Sequence, residues 1–99
     1  MDALQKNELK RDLARRLAQA QEIRKVVVFG SFLYNDAPDD MDVAVFQDSS
    51  EDYLSLALKY RRLATPVAAH IPLDIIPLRP GASGCFVDEI NRGEVIYER

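Results

Sequence analysis

The chain has one cysteine, one histidine, no tryptophan and no surplus of positive charge. Each shortage removes a class of protein. A lone cysteine, Cys85, excludes an internal disulfide framework and a cysteine-rich zinc site. It reads as a small core residue rather than a nucleophile. Thirteen Lys and Arg against 16 Asp and Glu leave a net charge of -3. That argues against general nucleic-acid binding, because phosphate backbones select Lys/Arg-rich faces. No apolar run approaches the ~18 residues of a membrane span. The first residues are charged and helical in pattern, with no apolar signal region, so the expected compartment is the cytoplasm, with no membrane partner. Repeats, linkers and low-complexity segments are also missing. What remains is 47% hydrophobic and 29% charged over 99 residues. That composition is ordinary for a globular chain, and the length suits one domain with one core.

Periodicity gives an order of elements. Leu9, Leu13, Leu17 and Ala20 form a helical stripe within a helix expected from Asp2 to Arg24. The opposite face carries Lys6, Lys10, Arg11, Arg15 and Arg16 and reads as a solvated surface. Lys25 to Phe29 predicts a central strand buried on both faces. Gly30 ends it, a short helical turn is expected at Phe32, and a loop follows to Asp39. Met41 to Phe46 is a second strand and Leu73 to Leu78 a third, with Pro77 pointing to an edge position. Ser50 is the expected N-cap of a helix running from Glu51 to about Ala69. Pro66 either kinks that helix or ends it near Thr65 and starts another turn. A short helix from Cys85 to Arg92 is closed by Gly93 as a C′ residue, and Val95 to Tyr97 is a last short strand. The expected fold class is α+β, two layers, with a small mixed sheet and helices packed on one face.

Chemistry concentrates in Val26 to Phe46 and in Asp74. Asp40 and Asp42 share a strand face because strand residues two apart point the same way. Asp74 is a third acid set in an apolar run. Ionised carboxylates in apolar surroundings are costly unless paired or metal-bound. No basic residue or histidine occurs from Val26 to Leu58. If the third strand lies beside the second, the three acids converge, and Mg²⁺ is the economical partner for oxygen ligands near phosphates. Gly30 and Ser31 offer the phosphate half, with backbone N–H groups at the start of a helical turn and a serine hydroxyl. Ser31 can cap that turn as well.

Gly30-Ser31, then Asp40-Met41-Asp42 opening an apolar strand, then Asp74 on a later strand, resembles the polymerase-β-type nucleotidyltransferase superfamily. In size and layout it is similar to the minimal nucleotidyltransferase (MNT) branch, and the ending EINRGEVIYER also looks like that branch. The resemblance covers nearly the whole chain, as one minimal nucleotidyltransferase domain over residues 1–99. It implies that Gly30 and Ser31 bind the β and γ phosphates and that Asp40 and Asp42 hold two Mg²⁺ ions. It also implies that Asp74 ligates the catalytic ion and helps deprotonate the acceptor. ATP would be the substrate, AMP the transferred group and pyrophosphate the leaving group. Two metals about 3.5–4 Å apart clamp such a displacement. The branch is often paired with a helical HEPN partner in a toxin–antitoxin system. Two departures stand out. The loop between Ser31 and Asp40 is short and acidic, and Tyr34 stands where arginine is often found. They keep open an alternative, a non-catalytic antitoxin or nucleotide-binding subunit that acts by docking to a partner protein.

Other residues read as plain structure. His70 is a surface or structural histidine, and Tyr34 and Tyr53 are packing residues. Arg79 follows the Asp74 strand and is a candidate to reach a phosphate. The edge strands and the apolar Phe32-Leu33-Tyr34 turn leave room for a homo-oligomer.

Overall fold

A computed structural model describes residues 1–99. The first helix, α1 (Ala3–Leu17), starts at Asp2, whose carboxylate accepts from the Gln5 N–H while Gln5 reciprocates, a full capping box. Leu13 and Leu17 are buried and Leu9 packs beside them, as the stripe predicts. The helix stops well short of Arg24. The freed carbonyls at its end are held from the far end of the chain: the Arg99 guanidinium donates to Ala18 O (3.1 Å) and Gln21 O (2.5 Å). Ile23, β-branched and fully buried, then begins β1 (Ile23–Phe29) two residues early.

A 3₁₀ turn, Gly30–Leu33, follows β1 directly rather than starting at Phe32. β2 is Met41–Gln47. Gln47, expected in a turn, is its buried last residue, with its amide group shared between the Ser49 N–H and Leu78 O. α2 (Tyr53–Leu63) is capped by Asp52, not Ser50. The Asp52 carboxylate accepts from the Ser55 N–H at 2.8 Å, while the Ser49 hydroxyl accepts from Glu51 N–H and holds residues 49–51 as a turn. The helix breaks at Ala64, and Pro66 sits in the first turn of α3 (Thr65–Ala68), where its missing N–H costs nothing. β3 (Leu73–Leu78), α4 (Cys85–Asn91) and β4 (Glu94–Glu98) complete the chain. Cys85 is exposed at the start of α4, not in the core.

The sheet order is β3-β2-β1-β4. β2 and β3 run parallel, while β1 runs antiparallel to both β2 and β4, so the sheet is mixed. β3 is an edge strand, which is where Pro77 is tolerated. The expected layer of helices covers one face. Leu13, Leu17, Leu56, Tyr60 and Val67 pack there on Val26, Val28, Val43, Val45 and Ile75. Ile90 of α4 lies across the other face, on Val27, Phe29, Ala44 and Phe46. This is why β1 and β2 read as unbroken apolar runs. No helix is long and apolar enough to cross a membrane.

One polar contact pins α2 to the strand entry. The Tyr60 hydroxyl, on a fully buried ring, donates to the Glu22 carboxylate at 2.9 Å, and Lys59 Nζ reaches the same oxygen at 2.9 Å. Burial pushes the Glu22 carboxyl up, but the bonds from Lys59, from its own backbone and from Tyr60 together outweigh it and hold it below its ordinary value. Tyr60→Phe is expected to cost about 1 kcal/mol of unfolding free energy by leaving one side of a half-buried carboxylate unpaired. Urea titration of the two proteins measures it.

Candidate active site at one end of the sheet

Strand directions gather the acids. β1 runs antiparallel to β2, so its exit lies beside the start of β2, and Phe29 pairs with Asp42. β3 runs parallel to β2, so its start lies there too, and Asp74 is the register partner of Asp42. The Met41 N–H donates to Pro72 O at 2.9 Å and fixes where the two strands meet. Gly30-Ser31, Asp42 and Asp74 thus converge on one end of the sheet, and Asp40 precedes β2 at that end. Asp42 is half-buried, while Asp40, Asp74 and Ser31 are exposed.

Gly30 and Asp42 are fitted to each other. Gly30 has φ +79°, in the left-handed region. A Cβ there would sit 2.7 Å from Asp42 Oδ2, closer than a non-bonded contact allows. The 3₁₀ turn has no side-chain cap, so the Ser31 hydroxyl is not used that way. The turn is closed instead by the Ser31 carbonyl, which accepts from the Asn35 N–H at 2.8 Å and the Tyr34 N–H at 3.1 Å.

Burial raises the Asp42 carboxyl above the ordinary carboxylate range, and the charges of Asp40, Asp74 and Glu89 raise it further. No three His, Cys, Asp or Glu side chains are drawn close enough to form a ready-made metal cage. The donor set nonetheless fits a hard divalent cation. The oxygens on offer are all carboxylate oxygens, and Asp42 carries an uncompensated repulsion that a cation would relieve.

Several residues lie where the sequence did not point. Glu89, at the end of α4, is near enough to act on Asp42. Arg92, one turn later, lines a cleft of about 190 Å³ with Gly30, Tyr34, Glu89 and Gly93. The i,i+3 spacing of Glu89 and Arg92 shows that they share a helix face, but not which face meets the sheet. Tyr34 and Tyr53 are exposed rather than packed. Arg79 does not reach the site; it follows the far end of β3 and donates to Ser49 O. Part of the basic face of α1 has a structural use. Lys6 Nζ donates to Asn35 O at 2.7 Å and the terminal ammonium of Met1 to Asp36 O at 2.7 Å, tying down the acidic loop before Asp40. A larger cleft, about 530 Å³, lies elsewhere, between α1 and the exposed His70. It contains neither the glycine-serine turn nor any of Asp40, Asp42, Asp74 and Glu89, and its Asp12 is already bound to Arg15 and Arg16.

Three solved structures share the architecture. A complex of tri-AMPylated Shewanella oneidensis HEPN toxin with MNT antitoxin has a chain 19% identical at a TM-score of 0.65, covering 95% of this chain and 73% of that one. The toxin–antitoxin MntA–HepT gives 17% identity and a TM-score of 0.62, with 94% and 73% coverage. A mutant of such a complex, with two aspartates changed to glutamate, gives 17% and 0.65, with 91% and 73% coverage. At these identities the likeness is one of fold. No curated protein matches the sequence at a significant level. The family profile described as polymerase beta, nucleotidyltransferase, matches residues 11–99. That span takes in the Gly-Ser turn, all three aspartates and the strands that assemble them, and the chain belongs to the polymerase beta nucleotidyltransferase family.

Proposed function

We propose that the protein is a Mg²⁺-dependent adenylyltransferase that moves AMP from ATP to a hydroxyl of a HEPN-type partner, as the antitoxin of the pair. The observation that carries this reading is the meeting of Gly30-Ser31 with Asp42 and Asp74 at one end of the sheet, with Asp40 at the entry. The similar solved complexes include an AMPylated HEPN toxin bound to an MNT antitoxin, which supports the choice of group and acceptor.

In this reading Gly30 and Ser31 bind the β and γ phosphates, and Asp40, Asp42 and Asp74 hold the two Mg²⁺ ions. Held there, Mg²⁺ would supply Lewis-acid polarisation of the phosphoryl oxygens and of the acceptor hydroxyl. Asp74, exposed at the start of β3, takes the hydroxyl proton. The acceptor oxygen then bonds to the α-phosphorus as the bond to the β-phosphate oxygen breaks, and pyrophosphate leaves. Gly30 needs no side chain for its part, which its close fit to Asp42 would exclude in any case.

The test is incubation of the chain and its partner with Mg²⁺ and ATP labelled on the α-phosphate. Label is expected on the partner, and none after chelation of the metal. Neutralisation of the partner by Asp40→Ala/Asp42→Ala protein, with no label in the wild-type reaction, would overturn transfer in favour of docking alone.

A further inference from the structure

On the reading just proposed, a triphosphate brings several negative charges to a place that already holds Asp40, Asp42, Asp74 and Glu89. Two Mg²⁺ ions offset only part of that charge. The nearby cations are mostly engaged. Lys6 is bound to Asn35 O, Lys10 pairs with Glu94 at 2.5 Å, and Arg79 is bound to Ser49 O. Arg92 is different. It is exposed and takes part in none of the chain's ion pairs.

Its place beside the Gly30 turn is set by backbone rather than by a flexible reach. Gly93, the next residue, packs so closely on β1 that a Cβ would lie 2.5 Å from Val28 O and 2.8 Å from Phe29 Cβ. The Phe86 ring meets the Phe29 ring edge to face at 5.9 Å, and Ile90 is fully buried on the same side. The end of α4 is therefore clamped to the last residues of β1, immediately before Gly30. The cleft between them holds about 190 Å³. That is less than the roughly 300–1,000 Å³ that encloses a whole ligand, so it suits a phosphate group with the rest of the nucleotide outside. An arginine offers a planar fork of donors matched to phosphate oxygens.

We propose that Arg92 grips the terminal phosphates of the bound nucleotide across this cleft, and is the contact that distinguishes a triphosphate from a monophosphate. The assignment rests on the nucleotidyltransferase reading but is separable from it. Calorimetric titration of the full chain with ATP and with AMP, both with Mg²⁺, tests it in wild type, Arg92→Ala and Arg92→Lys. Arg92→Ala is expected to weaken ATP binding at least about tenfold and AMP binding less than about twofold. Arg92→Lys, which keeps the charge and loses the fork, falls between. Melting temperatures should agree within about 2 °C, because the side chain is exposed and unpaired. Equal ATP affinity in wild type and Arg92→Ala would overturn the assignment and leave the nucleotidyltransferase reading intact. Equal weakening of ATP and AMP would overturn it too. A wild-type chain that binds no ATP would remove both.

Discussion

Asp42→Asn is expected to reduce AMP transfer about 10³-fold or more, and at the same time to raise the melting temperature of the metal-free protein at neutral pH. The two effects have one origin. Asp42 is half-buried, and burial first, then Asp40, Asp74 and Glu89, push its carboxyl above the ordinary range. Without a cation, the ionised form is less favourable in the folded chain than in the unfolded chain. The sign follows from linkage. The folded chain holds its proton more tightly, so stability is greatest below the ordinary carboxylate pKa of about 4. It falls as pH rises through the raised folded value and then levels off. Asparagine has nearly the same shape and no charge, so it removes that loss. On the proposed reading it also removes a metal ligand, and losing several kcal/mol of transition-state stabilisation corresponds to a thousandfold or more in rate. Melting curves with chelator at pH 4 and pH 7 check the first half. Wild type should gain on the variant as pH falls, and a variant less stable than wild type at pH 7 would contradict the argument. Saturating Mg²⁺ should reverse the order by stabilising wild type alone.

Gly93→Ala is expected to destabilise the fold by about 2–4 kcal/mol, lowering the melting temperature by on the order of 10–20 °C. The added carbon would meet Val28 O at 2.5 Å, Phe29 Cβ at 2.8 Å and Val27 Cγ1 at 2.9 Å. All three belong to a central strand locked by β2 on one side and β4 on the other, and the two nearest are a backbone oxygen and a Cβ held directly on that backbone. Neither can retreat as the tip of a flexible side chain can, so α4 must lift from β1 instead. Loss of contact between Ile90 and the Val27–Phe29 face adds to the cost. Gly81→Ala is the useful comparison. Gly81 has φ +80° but nothing within 4 Å of an added Cβ, so only backbone strain applies, about 1 kcal/mol. Thermal melts of both variants measure the difference. Equal losses would mean that close approach at Gly93 is unimportant.

Gly93 also illustrates what can be read from residue types. A glycine after a short helix reads as a C′ residue in the left-handed region, but only Gly30, Gly81 and Gly84 have positive φ. The need for glycine was legible and its reason was not, because the reason is a neighbouring backbone. The same holds for Glu89 and Arg92, whose place beside Gly30 depends on that contact. The strands were plain because β1 and β2 are buried on both faces and leave unbroken apolar runs. Asp40, Asp42 and Asp74 stood out for the same reason, as charges in apolar context. Helix ends were less plain. Asp48-Ser49-Ser50-Glu51-Asp52 offers four residues able to cap, and the choice of Asp52 is made by Leu56 and Tyr60 reaching the core. The carbonyls of Ala18 and Gln21, just past α1, are bonded by Arg99, which no local pattern can reveal.

The sheet order also bears on how the chain acquires its chemistry in time. β1 and β2 are close in sequence and pair antiparallel, so they can meet by closing a short loop. β2 and β3 run parallel and need the whole α2–α3 crossover between them. Pairing across such a separation is slow, and it is reached once the crossover helices have begun to dock. Asp42 and Asp74 are brought side by side only at that step. Their repulsion is thus expected to be absent while only β1 and β2 are paired and to arise when Leu56, Tyr60 and Ile75, which share one core, draw β3 onto the sheet. A charge conflict postponed in this way weighs on how long the native state lasts more than on how fast it forms. The site can therefore be acidic without obstructing the folding that creates it.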